Sequence, residues 1–180
     1  WESGLLTPSF GYSKSKGTKV STAWYQVIDS HMDATVYLDY FSQIGLGKGL
    51  EYRYALTGQN NGQALYYHVT GTGDVEAEDM VAQGINEDFP DLDYYRWEHR
   101  GNLAGGWRLM ADIEYTDRKL FFEEFGDVAA EYNRNKTVST VILRRNWQKL
   151  NAVGFARYVK DLGSNNDKTL QNLPELGLGV

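Results

Sequence analysis

The sequence predicts an all-β fold, antiparallel up-and-down hairpins forming part of a transmembrane β-barrel. Three observations point there. Apolar and polar residues alternate in one segment after another, the period of a strand with two unlike faces. Charges such as Glu51, Arg53, Asp112 and Glu114 fall mid-strand opposite the apolar positions, as a wet lumen allows, and Tyr and Trp recur near strand ends as in an aromatic girdle. The intervening turns alternate short and long. An ordinary antiparallel sheet with one solvated face produces the same alternation, so pattern alone leaves that architecture open.

Composition agrees with many strands and turns. The 180 residues include 19 Gly, 3 Pro, 13 Tyr and 5 Trp, and tyrosine and tryptophan suit half-buried strands and membrane interfaces alike. A mean hydropathy of -0.52 with no long apolar run excludes a transmembrane helix. It does not exclude a barrel, whose alternating strands average to polar. A net charge of -6 with clustered acids excludes an electrostatic nucleic-acid binder. The absence of Cys excludes disulfides and thiolate metal sites. The chain opens Trp1-Glu2-Ser3 with no signal peptide, which is expected of a mature piece or a fragment. One domain spanning 1–180 is expected, with about nine strands and the beginning of another.

The first strand, 3–13, carries Pro8 in its middle. Proline cannot donate to a ladder, so it belongs on an edge or at a weak seam. After a turn at Ser15-Lys16-Gly17, the second strand covers 18–28 and a second turn covers 29–33. The third strand, 34–42, sets Val36, Leu38 and Tyr40 against Thr35, Tyr37 and Asp39. A turn is expected over the glycine run 44–49. The fourth strand, 50–56, places Leu50, Tyr52, Tyr54 and Leu56 on one face and Glu51, Arg53 and Ala55 on the other. Gln59-Asn60-Asn61-Gly62 reads as a hairpin turn ending in Asn-Gly.

The next strand alternates Leu65, Tyr67 and Val69 with Tyr66, His68 and Thr70. Residues 71–92 lack alternation and carry Asp74, Glu76, Glu78, Asp79, Glu87, Asp88 and Asp91, so they read as a long acidic loop, a solubilising segment or a holder of divalent cations. Strands resume at 93–103 and, after Ala104-Gly105-Gly106, at 107–116. The second of these sets Trp107, Leu109, Ala111, Ile113 and Tyr115 against Arg108, Met110, Asp112 and Glu114. Residues 117–125 read as one or two helical turns with Asp117 as a possible cap. Strands at 136–147 and 151–160 flank a turn at 148–150, with faces the pattern does not assign. A loop at 163–167 precedes Leu173-Pro174-Glu175-Leu176, the start of a last strand.

No catalytic or cofactor constellation emerges. Glu123 and Glu124 are adjacent in a helical turn and do not face each other, so they read as a solvated face rather than an acid-base pair. His31, His68 and His99 lack metal-ligand spacing. The Gly45-x-Gly47-x-Gly49 run has no following helix and is no phosphate loop. The Asn135-Lys136-Thr137 triplet carries no weight.

Several strings resemble one family in its own order. Ser3-Gly4-Leu5-Leu6-Thr7-Pro8 leading into Gly11-Tyr12-Ser13 resembles the first barrel strand of the LptD family, the lipopolysaccharide-assembly (organic solvent tolerance) proteins of the outer membrane. Met32-Asp33-Ala34-Thr35 after Trp24-Tyr25 resembles its second turn. Leu50-Glu51-Tyr52-Arg53-Tyr54 resembles its fourth strand, and Arg96-Trp97 through His99 the strand after its first long loop. Tyr115-Thr116-Asp117-Arg118-Lys119-Leu120-Phe121-Phe122-Glu123-Glu124-Phe125-Gly126 is similar to its strand end and short helical segment. Leu170-Gln171-Asn172-Leu173-Pro174-Glu175-Leu176 is similar to a further family string. The matches are spread over nearly the whole chain and cover the amino-terminal part of the family's barrel domain.

The resemblance implies transport without enzymatic chemistry or a cofactor. It implies insertion of lipopolysaccharide into the outer leaflet of the Gram-negative outer membrane, through a lateral gate between first and last strands. It also implies a periplasmic transport bridge, an LptE-like lipoprotein plug and outer-membrane lipids as partners. Leu6, Pro8 and Phe10 fall on the gate strand, with Pro8 at the family's first gate proline. The family's second proline is missing near Thr22 or Ala23, and its disulfides have no counterpart here. Glu51, Arg53, Arg108, Asp112 and Glu114 are the lumen-facing candidates. Arg53 and Arg108 would meet the phosphates or sugar hydroxyls of a passing glycolipid, or pair across strands with Glu51, Asp112 or Glu114. The competing readings are a generic outer-membrane channel and a soluble β-sheet module for lipid or carbohydrate.

Overall fold

The computed structural model describes residues 2–71, 89–163, 169 and 171–179. Eleven strands form one antiparallel sheet: β1 (Gly4–Leu5), β2 (Ser9–Ser13), β3 (Gly17–Asp29), β4 (Met32–Phe41), β5 (Gly45–Thr57), β6 (Asn60–Gly71), β7 (Leu92–Asn102), β8 (Trp107–Thr116), β9 (Lys136–Asn146), β10 (Asn151–Asp161) and β11 (Asn172–Gly179). Each strand from β3 onward pairs with the next in sequence, and β1 and β2 both pair with β3. The sheet is open, with β1 and β2 at one edge and β11 at the other. The all-β antiparallel hairpin architecture is therefore observed, without closure into a barrel.

Connections are short at one end of the sheet and of mixed length at the other, where the three-residue turns 14–16 and 42–44 also lie. Turns at 30–31, 58–59, 103–106 and 147–150 lie at one end of the sheet, which we call the short-turn end. The 72–91 and 117–135 connections lie at the other, the long-loop end. Most of the acidic loop and of the 163–167 loop, with Leu170, lies outside the described residues. The ends of the former are tied together where Asp91 accepts the Gly71 amide at 3.0 Å.

Three local expectations are corrected. Of the 44–49 glycine run only Ile44 lies in a turn, and 45–49 are strand: β5 begins at Gly45, and its residues 45–54 pair with β4. Gly47 and Gly49 make room for the Tyr67 ring, and a Cβ on Gly49 would lie 2.8 Å from that ring. The Asn61-Gly62 pair is also inside a strand, because the hairpin turns two residues earlier and Gly62 lies beneath Tyr54. Asp117 does not cap the helix. Its carboxylate accepts the Asp93 amide at 3.2 Å, and Lys119 holds the cap position without a side-chain bond.

The two faces have inverted chemistry. Paired residues in a ladder project to the same side, so the registers join Thr35, Glu51 and Leu65 on one face and Val36, Leu50 and Tyr66 on the other. Thr35 and Asp39 are 4% and 7% exposed, whereas Val36, Leu38 and Tyr40 are 50%, 46% and 53% exposed. Polar groups are covered and apolar ones bare, contrary to the usual soluble arrangement. We call the polar side the inner face.

A compact apolar cluster closes the long-loop end of the inner face. The short helix α1 (Leu120–Glu124) lies there with Phe41, Ile44, Tyr67, Val69, Phe89, Leu92 and Tyr94. Five residues are too few for a helix to persist alone, so tertiary packing holds it. Phe121 stacks on Tyr94 at 4.7 Å between ring centroids, and Phe125 meets Phe41 edge-on at 5.4 Å. Faces that the alternation leaves unassigned in β9 and β10 are mixed for a simple reason. Val138, Ile142, Val153 and Phe155 share the inner side with Thr140, Arg144 and Arg157.

Candidate functional site

The edge strand is interrupted where the proline falls. Gly4 and Leu5 pair with Tyr25 and Trp24, and pairing resumes only at Ser9 with Ser21. Four steps along the first strand are thus matched by three along β3, a one-residue slip of the kind a bulge makes. The slip exchanges faces: Leu5 projects outward with Trp24, while Ser9 projects inward with Ser21. Leu6 keeps one bond across the break, its amide donating to the Ala23 carbonyl at 2.7 Å. Pro8 has no amide hydrogen to offer. Phe10 pairs with Val20 and turns its ring outward, 78% exposed. Of the three gate candidates, Leu6 and Pro8 therefore form the break, and Phe10 belongs to the outer apolar face.

The other end of the same hairpin is clamped. Ser15 Oγ donates to Glu124 at 2.7 Å, and Lys16 donates to the Glu124 carbonyl at the carboxyl end of α1, where a cation is favoured. The Lys16 ammonium also stands 5.2 Å from the Phe125 ring centroid, and Lys19 approaches Asp127 at 3.5 Å.

Across the inner face runs a ladder of ion pairs. Arg53 meets Asp33 at 2.8 Å and Glu51 at 3.9 Å, and Tyr37 donates to Glu51 at 2.5 Å. Arg96 grips Asp112 through two nitrogens at 3.1 and 3.0 Å and touches Glu98 at 2.7 Å. Glu114, 5% exposed, accepts two bonds from Arg134 at 2.8 and 2.6 Å and one from Tyr94 at 2.9 Å. A cavity of about 470 Å³ lies along this face, lined by residues from β2 to β7 and by 127–130. Its hydroxyls, its carboxylates, the Lys19 ammonium and the Arg96 guanidinium suit a hydrated or polyhydroxylated occupant. Among the described residues no group of three or more His, Asp or Glu is placed to hold a metal.

The sequence matches the family described as LptD protein over residues 1–180. The chain belongs to the LptD family. It is 30% identical over 179 residues to the LPS-assembly protein LptD of Pseudoalteromonas atlantica, covering 98% of this chain and 22% of that protein. It is 28% identical over 178 residues to the LPS-assembly protein LptD of Shewanella sp. (strain MR-4), covering 97% of this chain and 21% of that protein. Against the same-named protein of Ectopseudomonas mendocina it is 34% identical over 117 residues, 64% of this chain and 11% of that protein. The chain thus spans about a fifth of the length of the first two relatives. All three relatives carry the name LPS-assembly protein.

In this LptD-family chain the five charged candidates Glu51, Arg53, Arg108, Asp112 and Glu114 share the inner face. They do not act as one cluster. Arg53 pairs chiefly with Asp33, and Arg108 forms no ion pair with Glu51, Asp112 or Glu114, donating instead to Asn102 at 3.2 Å. The alternation also misses Arg134, the main partner of Glu114, because it lies outside any strand. Its signal is its position shortly after the aromatic segment 121–125, which must fold back to bury the rings of Phe121, Phe122 and Phe125.

Proposed function

We propose that this chain forms one part of an outer-membrane β-barrel that inserts lipopolysaccharide into the outer leaflet, with the interrupted first strand as one lip of a lateral gate. The observation that carries this reading is the pairing of an inverted sheet with a broken edge. A bare apolar face needs hydrocarbon around it, and a polar, ion-paired face needs water or sugar within. Barrels normally abolish edges, so an edge strand that cannot complete its ladder suits a wall that parts. The short-turn end faces the periplasm in this reading, where a transport bridge delivers the glycolipid. An LptE-like lipoprotein fills the lumen, and the inner-face cavity beside residues 127–130 belongs to the path of the sugars. No chemical step is required, only differential stability of one strand pair.

The test is Pro8→Ala in the full-length protein. The restored amide should strengthen the seam, lower crosslinking between the glycolipid and the edge strand, and sensitise cells to hydrophobic antibiotics. Unchanged lateral opening and unchanged transport would sink the gate. A generic outer-membrane channel predicts that result together with no binding to an LptE-like lipoprotein. A soluble lipid or carbohydrate module predicts that the natural protein needs no detergent.

A further inference from the structure

The short-turn end of the inner face carries a charge imbalance that the ion-pair ladder does not use. Arg100 in β7, Arg108 in β8 and Arg144 in β9 all project onto this face. Arg100 stands opposite Met110, and Arg108 stands opposite both Asn102 and Arg144. Like charges directly opposed in a ladder repel each other. Arg108 and Arg144 are such a pair, and Arg100 is their diagonal neighbour one level away.

Counter-charge does not come from the sheet. Arg53, Arg96 and Arg134 each hold carboxylates, whereas Arg100, Arg108 and Arg144 form no ion pair with any described residue. Glu98 and Asp112, the nearest acids by register, are occupied by Arg96 at 2.7 and 3.0 Å, and Glu98 also accepts from Gln63. Arg108 spends one donor on Asn102, leaving most of a five-donor fork unspent.

We propose that Arg100, Arg108 and Arg144 form a docking site for the phosphoryl groups of a glycolipid at the short-turn mouth of the inner face. Strands lie about 4.8 Å apart and same-face neighbours about 7 Å apart along a strand, so three long guanidinium side chains can converge on one doubly phosphorylated headgroup. Guanidinium forks match phosphate oxygens in bidentate geometry. A bilayer phospholipid fits less well, because the three arginines project to the inner face, opposite the outer side on which Leu103, Trp147 and Leu150 are exposed. The assignment rests on the lipopolysaccharide reading above and adds to it where the cargo's phosphates are held on entry.

The test uses the full-length protein in detergent with its lipoprotein partner. The probes are a bis-phosphorylated glycolipid and the same molecule after phosphatase treatment. The native protein should prefer the phosphorylated form by about tenfold or more, the scale of a few charge-assisted bonds, with the preference falling as salt rises. R100Q/R108Q/R144Q should lose that preference while keeping heat-modifiable migration. R108Q alone, a milder change if the triple variant misfolds, should lose about half of it in logarithmic terms. A preference unchanged in R108Q or in the triple variant would overturn the site while leaving the transport reading intact. So would equal competition by phosphatidylglycerol micelles, which would assign a bilayer headgroup. Loss of lipoprotein copurification with an intact glycolipid preference would assign the arginines to an acidic protein partner and overturn it as well. Failure of the native protein to bind either glycolipid would count against both this site and the transport reading.

Discussion

The hairpin of β4 and β5 and the edge formed by β1, β2 and β3 are built from the same alternating code, yet they differ in continuity. From Met32 with Tyr54 to Phe41 with Gly45, every residue of β4 has a partner. The edge has two pairs, a gap over Leu6, Thr7 and Pro8, and five more pairs in a shifted register. Tyr67 reinforces the central wall by crossing Gly47 and Gly49 to donate to Asp39. Among the described residues no side chain crosses the break at Pro8 in this way. The lesson is that stiffness in this sheet is set locally, by glycine-tyrosine crossings in the middle and by a proline with one surplus residue at the rim.

Four substitutions test that contrast, beginning with the largest effect. Glu114→Ala leaves Arg134 beside Phe122 with only the exposed Glu131 at 3.4 Å as counter-ion, and loss of one partner of a buried pair costs about 3–5 kcal/mol. Urea unfolding of the detergent-solubilised protein should show it. Gly49→Val forces a branched side chain into the Tyr67 and Tyr37 rings, and overpacking of this kind costs about 1–3 kcal/mol. Its unfolding midpoint should drop, and a neutral result would refute the crossing as a reinforcement. Lys16→Met removes the cation from the end of α1 and should cost about 1 kcal/mol. The expected signature is faster proteolysis between β2 and β3, with the central strands still protected. Pro8→Val has the opposite sign and the smallest size, a gain of about 1 kcal/mol or less from one restored ladder bond. Slower hydrogen exchange confined to β2 and the facing part of β3 would confirm it. Exchange slowed equally in β4 and β5 would erase the distinction between rim and wall.

Much of the sheet was legible because a period of two survives wherever one face differs from the other. The strand over 107–116 and the faces of Glu51 and Leu50 follow from alternation alone. The misreadings share one physical cause. Gly45-Leu46-Gly47-Lys48-Gly49 and Asn61-Gly62 resemble turns locally, but Tyr67 and Tyr54 arrive from elsewhere in the chain to occupy the space the glycines leave. A sequence window cannot show a ring that comes from another strand. The folding of α1 onto the inner face was hidden in the same way, although four apolar residues among 120–125 are more than a solvated loop needs. In the site, Arg53 and Arg108 look equivalent by alternation. Only the cross-strand register separates the one with a carboxylate opposite from the one facing another arginine.

The slip at the first strand also works as a phase shifter. Between Leu5 and Ser9 the chain carries one residue more than β3 can match, so odd-numbered side chains point outward before the break and inward after it. Removing a single residue would bring the two halves back into step with no side chain of β1 or β2 changing sides. Deletion of Pro8 does this and also removes the missing donor, so it should heal the ladder twice over, where substitution heals it once. An insertion of one further residue would restore the alternation but leave two residues without partners on β3, so the rim would stay open. The rim is therefore tuned by chain length as well as by residue type, and a count of residues between Leu5 and Ser9 is a direct reading of how readily it parts.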